Sequence, residues 1–463
     1  MWSYINKEDF KKYIEEYPFL KEHKNEISLY ETADSIILPR LFYKNYPSEL
    51  IHVRDSYKEH LDAKEIKVNF KGELRDVQKR ASKTVLDIFN NNKREITGTI
   101  KMPPGTGKTV TTVYLSSKIG LKTCIIINNK NLMSQWIKAY INFTTNISEN
   151  DIGLIQGSIF SVDKPIVVAM LQTLLSKIKT APKKTMDDLQ KAGIGLVVYD
   201  EVHSSSSSEK FSKVSILFKT NNFIGLSATP FHTGLHKILM QNTIGDIIFS
   251  SEDYQLIPQL YFIYYFSGIS NNLSEKKTKK GTFLTVGTYV NMIQDLNMKR
   301  AIYNKSIVHS EKYLKIISKY IGNLHKKGYT TLIATMHINQ LNTIADQIEL
   351  DHNNIKVRRF YSKNPDIDKE NDRVVAAPLK YCGEGFDFPR FDCIIITMPL
   401  SGKKSIIQLC GRALRTCDGK NDPIILYLVD MDFPSMFIKD VQIVRNIVKT
   451  EFKGIKVHEY NES

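Results

Sequence analysis

Short apolar runs recur along this chain, with longer helix-like stretches between them. Residues 96–100, 123–127, 165–170, 195–199 and 223–226 form one series; 260–266, 331–335, 356–361, 373–377, 393–397 and 424–429 form a second after Pro258. The runs are rich in Ile, Val and Leu and do not alternate with polar residues, the pattern of strands covered on both faces. Strands separated by helical segments build parallel α/β units. At 463 residues the chain is too long for one small core. The expectation is therefore an α/β protein of two tandem domains with parallel sheets, over 67–250 and 251–463. Residues 1–66 form an N-terminal accessory region, helix-like over 8–22, then apolar and aromatic over 36–43.

Parallel sheets place ligands on the loops at the carboxyl ends of their strands, and three such loops carry polar motifs. The first is Met102-Pro103-Pro104-Gly105-Thr106-Gly107-Lys108-Thr109, ahead of a helix-like run over 110–119. Gly105, Thr106 and Gly107 let backbone N–H groups turn toward an anion, and the helix N-terminus adds partial positive charge. Lys108 is placed to reach the β- and γ-phosphates of a nucleotide and Thr109 to hold Mg²⁺. Met102 stands where the usual motif has glycine. The second loop is Asp200-Glu201-Val202-His203. Asp200 suits a Mg²⁺ ligand, and Glu201 suits the group that orients or deprotonates an attacking water. The third is Ser227-Ala228-Thr229-Pro230, whose hydroxyls can bond the acidic motif.

In the second series, Gln408-Leu409-Cys410-Gly411-Arg412-Ala413-Leu414-Arg415 reads as a helix with Gln408, Arg412 and Arg415 on one face and Leu409 and Ala413 turned inward. Two arginines on one face suit a γ-phosphate clamp. Taken singly, each motif also has a plain structural reading: a Gly/Pro turn, an acidic strand end, a turn before proline, a solvated cationic helix face.

Their order is what decides. Phosphate loop, DEVH, SATP and QxxGRxxR in sequence resemble the superfamily 2 helicases and translocases. Leu74-Arg75-Asp76-Val77-Gln78 lies where those proteins carry an adenine-reading glutamine. Lys130-Asn131-Leu132-Met133-Ser134-Gln135-Trp136 is similar to their motif Ia, Leu171-Gln172-Thr173-Leu174 to the next nucleic-acid motif, and Gly383-Glu384-Gly385-Phe386-Asp387-Phe388-Pro389 to motif V.

The resemblance covers roughly residues 67–430 and implies two RecA-like domains with ATP and Mg²⁺ at the cleft between them. Gly385 and Asp387 would join Arg412 and Arg415 from the second domain. His203, Ser227, Thr229 and Gln408 would couple nucleotide state to domain closure. Lys130, Gln135, Trp136, Gln172 and Thr173 would face nucleic acid. The short leader, the LRDVQ entry and EGFDFPRFD most resemble compact DNA helicases of large cytoplasmic DNA viruses, of the poxvirus transcript-release type, and through them helicases of the XPB kind. Two departures stand out: Asn128 where many relatives have proline, and Ala377-Pro378 where a serine or threonine usually touches a backbone phosphate.

Composition fits without deciding. The net charge, 64 − 49 = +15, suits a polyanionic partner. A lysine-rich bias from an A+T-rich genome would give the same excess. Residues 271–330 hold 12 Lys or Arg against 3 Asp or Glu; the cluster over 276–280 reads as a loop, either solvated or touching phosphates. The serines over 204–208 read as a flexible loop. The five cysteines form no C-x-x-C or Cys/His cluster, so zinc and disulfide frameworks are not expected. No run approaches the ~18 apolar residues of a membrane span. The start of the chain is unlike a signal peptide, so a soluble, intracellular protein is expected; if viral, its place is the host cytoplasm or the virion. The functional expectation is an ATP-dependent helicase acting on DNA in transcription or repair, with transcription machinery as a partner. An RNA helicase and an ATP-binding tether without turnover are the alternatives.

Overall fold

Each continuous apolar run of the first series becomes a strand whose two faces go to different helices. In the computed structural model, Ile125, Ile127, Leu196, Val198, Ile224 and Leu226 point into one core. Their neighbours Cys124, Ile126, Val197, Tyr199 and Phe223 point into another. The helices Asp76–Asn91, Lys108–Ile119 and Lys130–Phe143 cover the first face. Leu171–Thr180, Pro182–Lys191 and Ser205–Ser215 cover the second. With no polar face to keep wet, the strands carry no alternation. The structure describes residues 2–54, 63–202, 205–228, 234–252, 254, 256–278, 281–361, 367–368, 370–382, 388–400, 402–415, 417 and 419–462.

The chain divides into two units, Met1–Asp253 and Tyr254–Ser463. Among the described residues, the first contains an eight-stranded sheet in the order Ile247–Ser250, Thr97–Lys101, Phe223–Ser227, Leu196–Asp200, Thr123–Ile127, Ile166–Met170, Ile152–Gln156, Ile159–Phe160. Its pairings are parallel except the last. Thr97–Lys101, Phe223–Ser227 and Leu196–Asp200 are consecutive neighbours, so the loops that follow them lie side by side on one sheet edge.

The first unit also holds a four-stranded sheet built by the leader, in which Trp2–Asn6 pairs antiparallel with Ser35–Leu38 and His52–Arg54. Its core of Ile5, Phe10, Tyr13, Ile14, Leu20, Ile27 and Phe42 takes in Leu239 of the helix Leu235–Thr243. Residues 63–66 are already tied to the large sheet domain: the Lys64 N–H donates to Gly193 O and the Ile66 N–H to Gly120 O.

Among the described residues, the second unit has a seven-stranded, all-parallel sheet in the order Val357–Arg359, Val374–Pro378, Thr331–Thr335, Cys393–Ile396, Ile424–Asp430, Gln259–Tyr265, Lys456–Asn461.

Three local expectations change. The serine run does not form a loop where it is described: Ser205–Ser215 is a helix, anchored by fully buried Phe211 and Val214 one turn apart. The basic cluster is not simply a loop. Leu273–Lys277 pairs antiparallel with Phe283–Thr285 as a two-stranded ribbon, with Lys277 Nζ 4.4 Å from the centre of the Phe283 ring. Finally, the helix of the arginine motif runs Lys403–Ala413 and caps at Leu414, so Arg415 lies beyond it.

Candidate nucleotide site

The phosphate loop begins as a core position. Met102 is fully buried, and its N–H donates to Ser227 O (3.1 Å), tying the loop to the end of the neighbouring strand. A glycine there would leave that part of the core empty, which accounts for methionine at the first position of the motif. Gly105 (φ 81°) and Gly107 (φ 89°) take left-handed backbone, the conformation that turns successive N–H groups to one side. Gly107 caps the helix Lys108–Ile119. A Cβ on it would come within 2.1 Å of Gln78 Nε2. Thr106 is buried, and its hydroxyl donates to Pro103 O (2.7 Å), closing the loop on itself. Lys108 Nζ donates to Met102 O (3.4 Å) and sits 3.9 Å from Glu201 Oε1. Both contacts are long, as suits a cation whose stronger partner would be a phosphate. Thr109 is half-buried in the first turn of the helix.

Gln78 does not present its amide to a base. It is 3 % exposed; Nε2 donates to Thr106 O (3.0 Å) and Gly107 O (3.4 Å), and Oε1 accepts from the Arg75 N–H (2.8 Å). Its work here is to hold the phosphate loop and cap the helix Asp76–Asn91.

Asp200 ends its strand with 6 % exposure, and Oδ2 accepts a hydrogen bond from Trp136 Nε1 (2.8 Å). Glu201 follows with a left-handed backbone, φ 53°. For a non-glycine residue this costs roughly 1–3 kcal/mol and collects at functional sites. Ser227 is fully buried in the adjacent strand. The structure thus brings Lys108, Asp200, Glu201 and Ser227 to one edge of one sheet. His203, Thr229, Gly385 and Asp387 lie outside the described residues.

The candidates for nucleic-acid contact separate. Lys130 is exposed in the first turn of the helix Lys130–Phe143. Gln172 is exposed, and its Nε2 donates to Asn128 O (2.9 Å). Thr173 is half-buried, and its hydroxyl accepts from the Gly157 N–H (3.0 Å). Gln135 is half-buried, with Nε2 inside the fold and no hydrogen-bond partner among the described residues. Trp136 is the correction. At 1 % exposure it offers no ring face to a base, and its indole belongs to the core and to Asp200. Sequence spacing allowed either orientation, because a tryptophan on an amphipathic helix suits both a wet and a dry face.

In the second unit Leu409 and Ala413 are buried, Gln408 is half-buried, and Arg412 is 7 % exposed with Nε donating to Cys382 O (3.0 Å). Because the helix ends at Ala413, Arg415 leaves the face shared by Gln408 and Arg412, and its carbonyl accepts from Lys420 Nζ (2.6 Å). Among the described residues, no cluster of His, Cys, Asp and Glu could hold a metal by itself, and no helix is long and apolar enough to cross a membrane.

Residues 71–232 match the family model described as "Type III restriction enzyme, res subunit". The chain is 29 % identical over 385 residues to the putative helicase 161L of Invertebrate iridescent virus 6, spanning 79 % of this chain and 78 % of that one. It is 24 % identical over 379 residues to the transcript termination protein A18 of Yaba monkey tumor virus, spanning 79 % and 74 %. Among solved structures, Dbp5 of S. cerevisiae bound to RNA and ADP BeF3 superposes with a TM-score of 0.55 at 12 % identity, over 84 % of this chain and 90 % of that one. Residues 71–232 thus match a helicase-family domain, the chain is similar along most of its length to a viral putative helicase, and it has the fold of helicases with two RecA-like domains.

Proposed function

We propose that this chain is an ATP-dependent helicase or translocase that acts on DNA in viral transcription, at transcript release, or in repair. The observation that carries the reading is the edge where Lys108, Asp200 and Glu201 meet, with Lys108 Nζ 3.9 Å from Glu201 Oε1 and Asp200 at the preceding position. A cradle of left-handed glycines, a lysine and an acidic strand end fit a magnesium nucleotide. Asp200 and Thr109 would hold Mg²⁺, which would supply charge neutralisation at the phosphates. Lys108 holds the terminal phosphates, and the backbone of 105–107 wraps them. Glu201 takes the proton of the attacking water. Arg412 and Arg415 are the candidates to stabilise charge on the transferred phosphoryl group.

The transcript termination protein among the relatives supports a role beside transcription machinery. Dbp5, solved with RNA, keeps an RNA substrate as the second reading. ATPase assays with ssDNA, dsDNA and ssRNA at matched salt decide, since phosphate contacts make every such affinity salt-dependent. Stimulation by DNA supports the proposal, stimulation by RNA alone transfers it to the second reading, and no stimulation by either ends both.

A further inference from the structure

We infer that Trp136 is a positioning residue for the metal-binding carboxylate of Asp200, an inference that rests on the nucleotide-site reading above. An indole has one polar group, its N–H, and a buried N–H needs an acceptor. Here the acceptor is a carboxylate oxygen, Asp200 Oδ2, at 2.8 Å, with the donor ring 1 % exposed and the aspartate 6 % exposed. A donor to an ionised acceptor makes the stronger kind of hydrogen bond. It restrains the rotation of the carboxylate by holding Oδ2 toward the indole.

The helix that carries the indole is itself held. Leu132, Met133, Ala139 and Tyr140 of Lys130–Phe143 are buried, and Asn129 caps its start by accepting from the Asn131 N–H. The Tyr140 hydroxyl is 3.1 Å from Ser116 Oγ on the helix that leaves the phosphate loop. One rigid element thus bonds both the acidic motif and the phosphate-loop helix. Through it the carboxylate is set in register with the loop that grips the phosphates. Packing alone would be satisfied by any bicyclic ring; the aim of the N–H at Asp200 assigns the further role.

The test replaces Trp136 in the full chain with 3-benzothienylalanine, a bicyclic ring of the same shape without the N–H, and separately makes Trp136→Phe. Mn²⁺ binding in the presence of ADP is read by electron paramagnetic resonance of the free ion. ATPase activity is titrated with Mg²⁺ in parallel, and melting temperature is recorded. Loss of a partner behind a metal ligand costs about 10–100-fold in metal affinity or activity. The expected result is a loss of Mn²⁺ affinity and a rise in Mg²⁺ half-saturation of about tenfold or more, with KM for ATP at saturating Mg²⁺ within about twofold. Unchanged Mn²⁺ affinity and Mg²⁺ half-saturation in a folded benzothienyl variant overturns the inference, and so does a loss confined to Trp136→Phe, which would make the ring shape sufficient. A wild-type chain that binds no Mn²⁺ with ADP and hydrolyses no ATP overturns the nucleotide-site reading instead.

Discussion

Glu201 sits at φ 53°, where a glutamate is strained, with its side chain largely covered and a carboxylate oxygen 3.9 Å from Lys108 Nζ. Strain kept at the residue proposed as the base predicts that function and stability part company there. Glu201→Gln should bind ATP and fail to hydrolyse it, with normal turnover disproving its role as the base. Glu201→Gly should also be inactive yet melt no lower than wild type, since glycine takes this backbone freely and releases roughly 1 kcal/mol of strain. Lys108→Ala should lose hydrolysis together with nucleotide affinity, read by a fluorescent nucleotide.

A second residue bears on pH. Asp430 is fully buried at the end of its strand, with Oδ1 accepting from the Ser267 and Asp432 N–H groups and Oδ2 without a partner among the described residues. Burial pushes its carboxyl up to about 6. The folded state therefore binds a proton that the unfolded state, titrating near the usual ~3.9, does not. The stability contributed by that proton is present in full below about pH 4 and is lost as pH rises through about 6. Hydrogen exchange of the Ile424–Asp430 amides, corrected for intrinsic rates, should show more protection at pH 5 than at pH 7. Asp430→Asn keeps the Oδ1 acceptor, and should flatten that difference and stabilise the second unit by roughly 1–3 kcal/mol at pH 7.

At the scale of elements, the parallel strands were legible in the sequence, because double burial writes itself as unbroken apolar runs, and so was the helix that follows the phosphate loop. The first series reads 123–127 and the strand is Thr123–Ile127; the second reads 331–335 and the strand is Thr331–Thr335. The leader sheet was not legible. Its strands Tyr30–Glu31, Ser35–Leu38 and His52–Arg54 are too short to show a period. Nor was the helix end at Ala413, since Leu414 and Arg415 both suit a helix and only the tertiary setting stops it there. Within the site, residue types single out Lys108 and Asp200 as candidates, while the partners of Gln78 and Trp136 depend on which way each side chain turns.

The ribbon Leu273–Lys277 with Phe283–Thr285 belongs to this scale too. It leaves the carboxyl end of the strand Gln259–Tyr265, and it exposes Leu273 and Phe283 beside Lys276 and Lys277. Cation and aromatic side chains on a projecting ribbon suit a nucleic-acid strand. Reversing Lys276 and Lys277 to glutamate should weaken ssDNA binding and lower the salt slope by about 2, near 0.7–0.9 per phosphate contact. An unchanged affinity and slope would make the ribbon a solvated surface only.

For the molecule as a whole, the leader sheet shares a core with the rest of the first unit. Leu239 completes the leader's core, and Ile216 packs with Leu29 and Ile37. The Leu41 N–H donates to Asn242 O, and Asn45 Nδ2 donates to Asn242 Oδ1. Arg40 is 2 % exposed, with its guanidinium carbon 3.8 Å from the centre of the ring of Phe223, the first residue of the strand that ends at Ser227. Its Nε and Nη1 find no acceptor among the described residues, and burial lowers its pKa to about 10. A cation buried under such terms is tolerated only where the surrounding packing is worth more. Removing residues 1–54 while keeping 63 onward would uncover Leu239, Ile216 and Phe223. Each buried apolar side chain is worth about 1.5–3 kcal/mol, so the loss for the three is roughly 4.5–9 kcal/mol against a total stability of about 5–15 kcal/mol. The truncated first unit should therefore melt far below wild type or fail to accumulate as soluble protein. Arg40→Met, which keeps the stem and removes the buried charge, should retain the fold and the ATPase. A truncated chain with wild-type melting and turnover would show that the leader is a separable appendage. Loss of the fold in Arg40→Met would show that the guanidinium on Phe223, rather than the shared apolar core, is what joins the leader to the sheet.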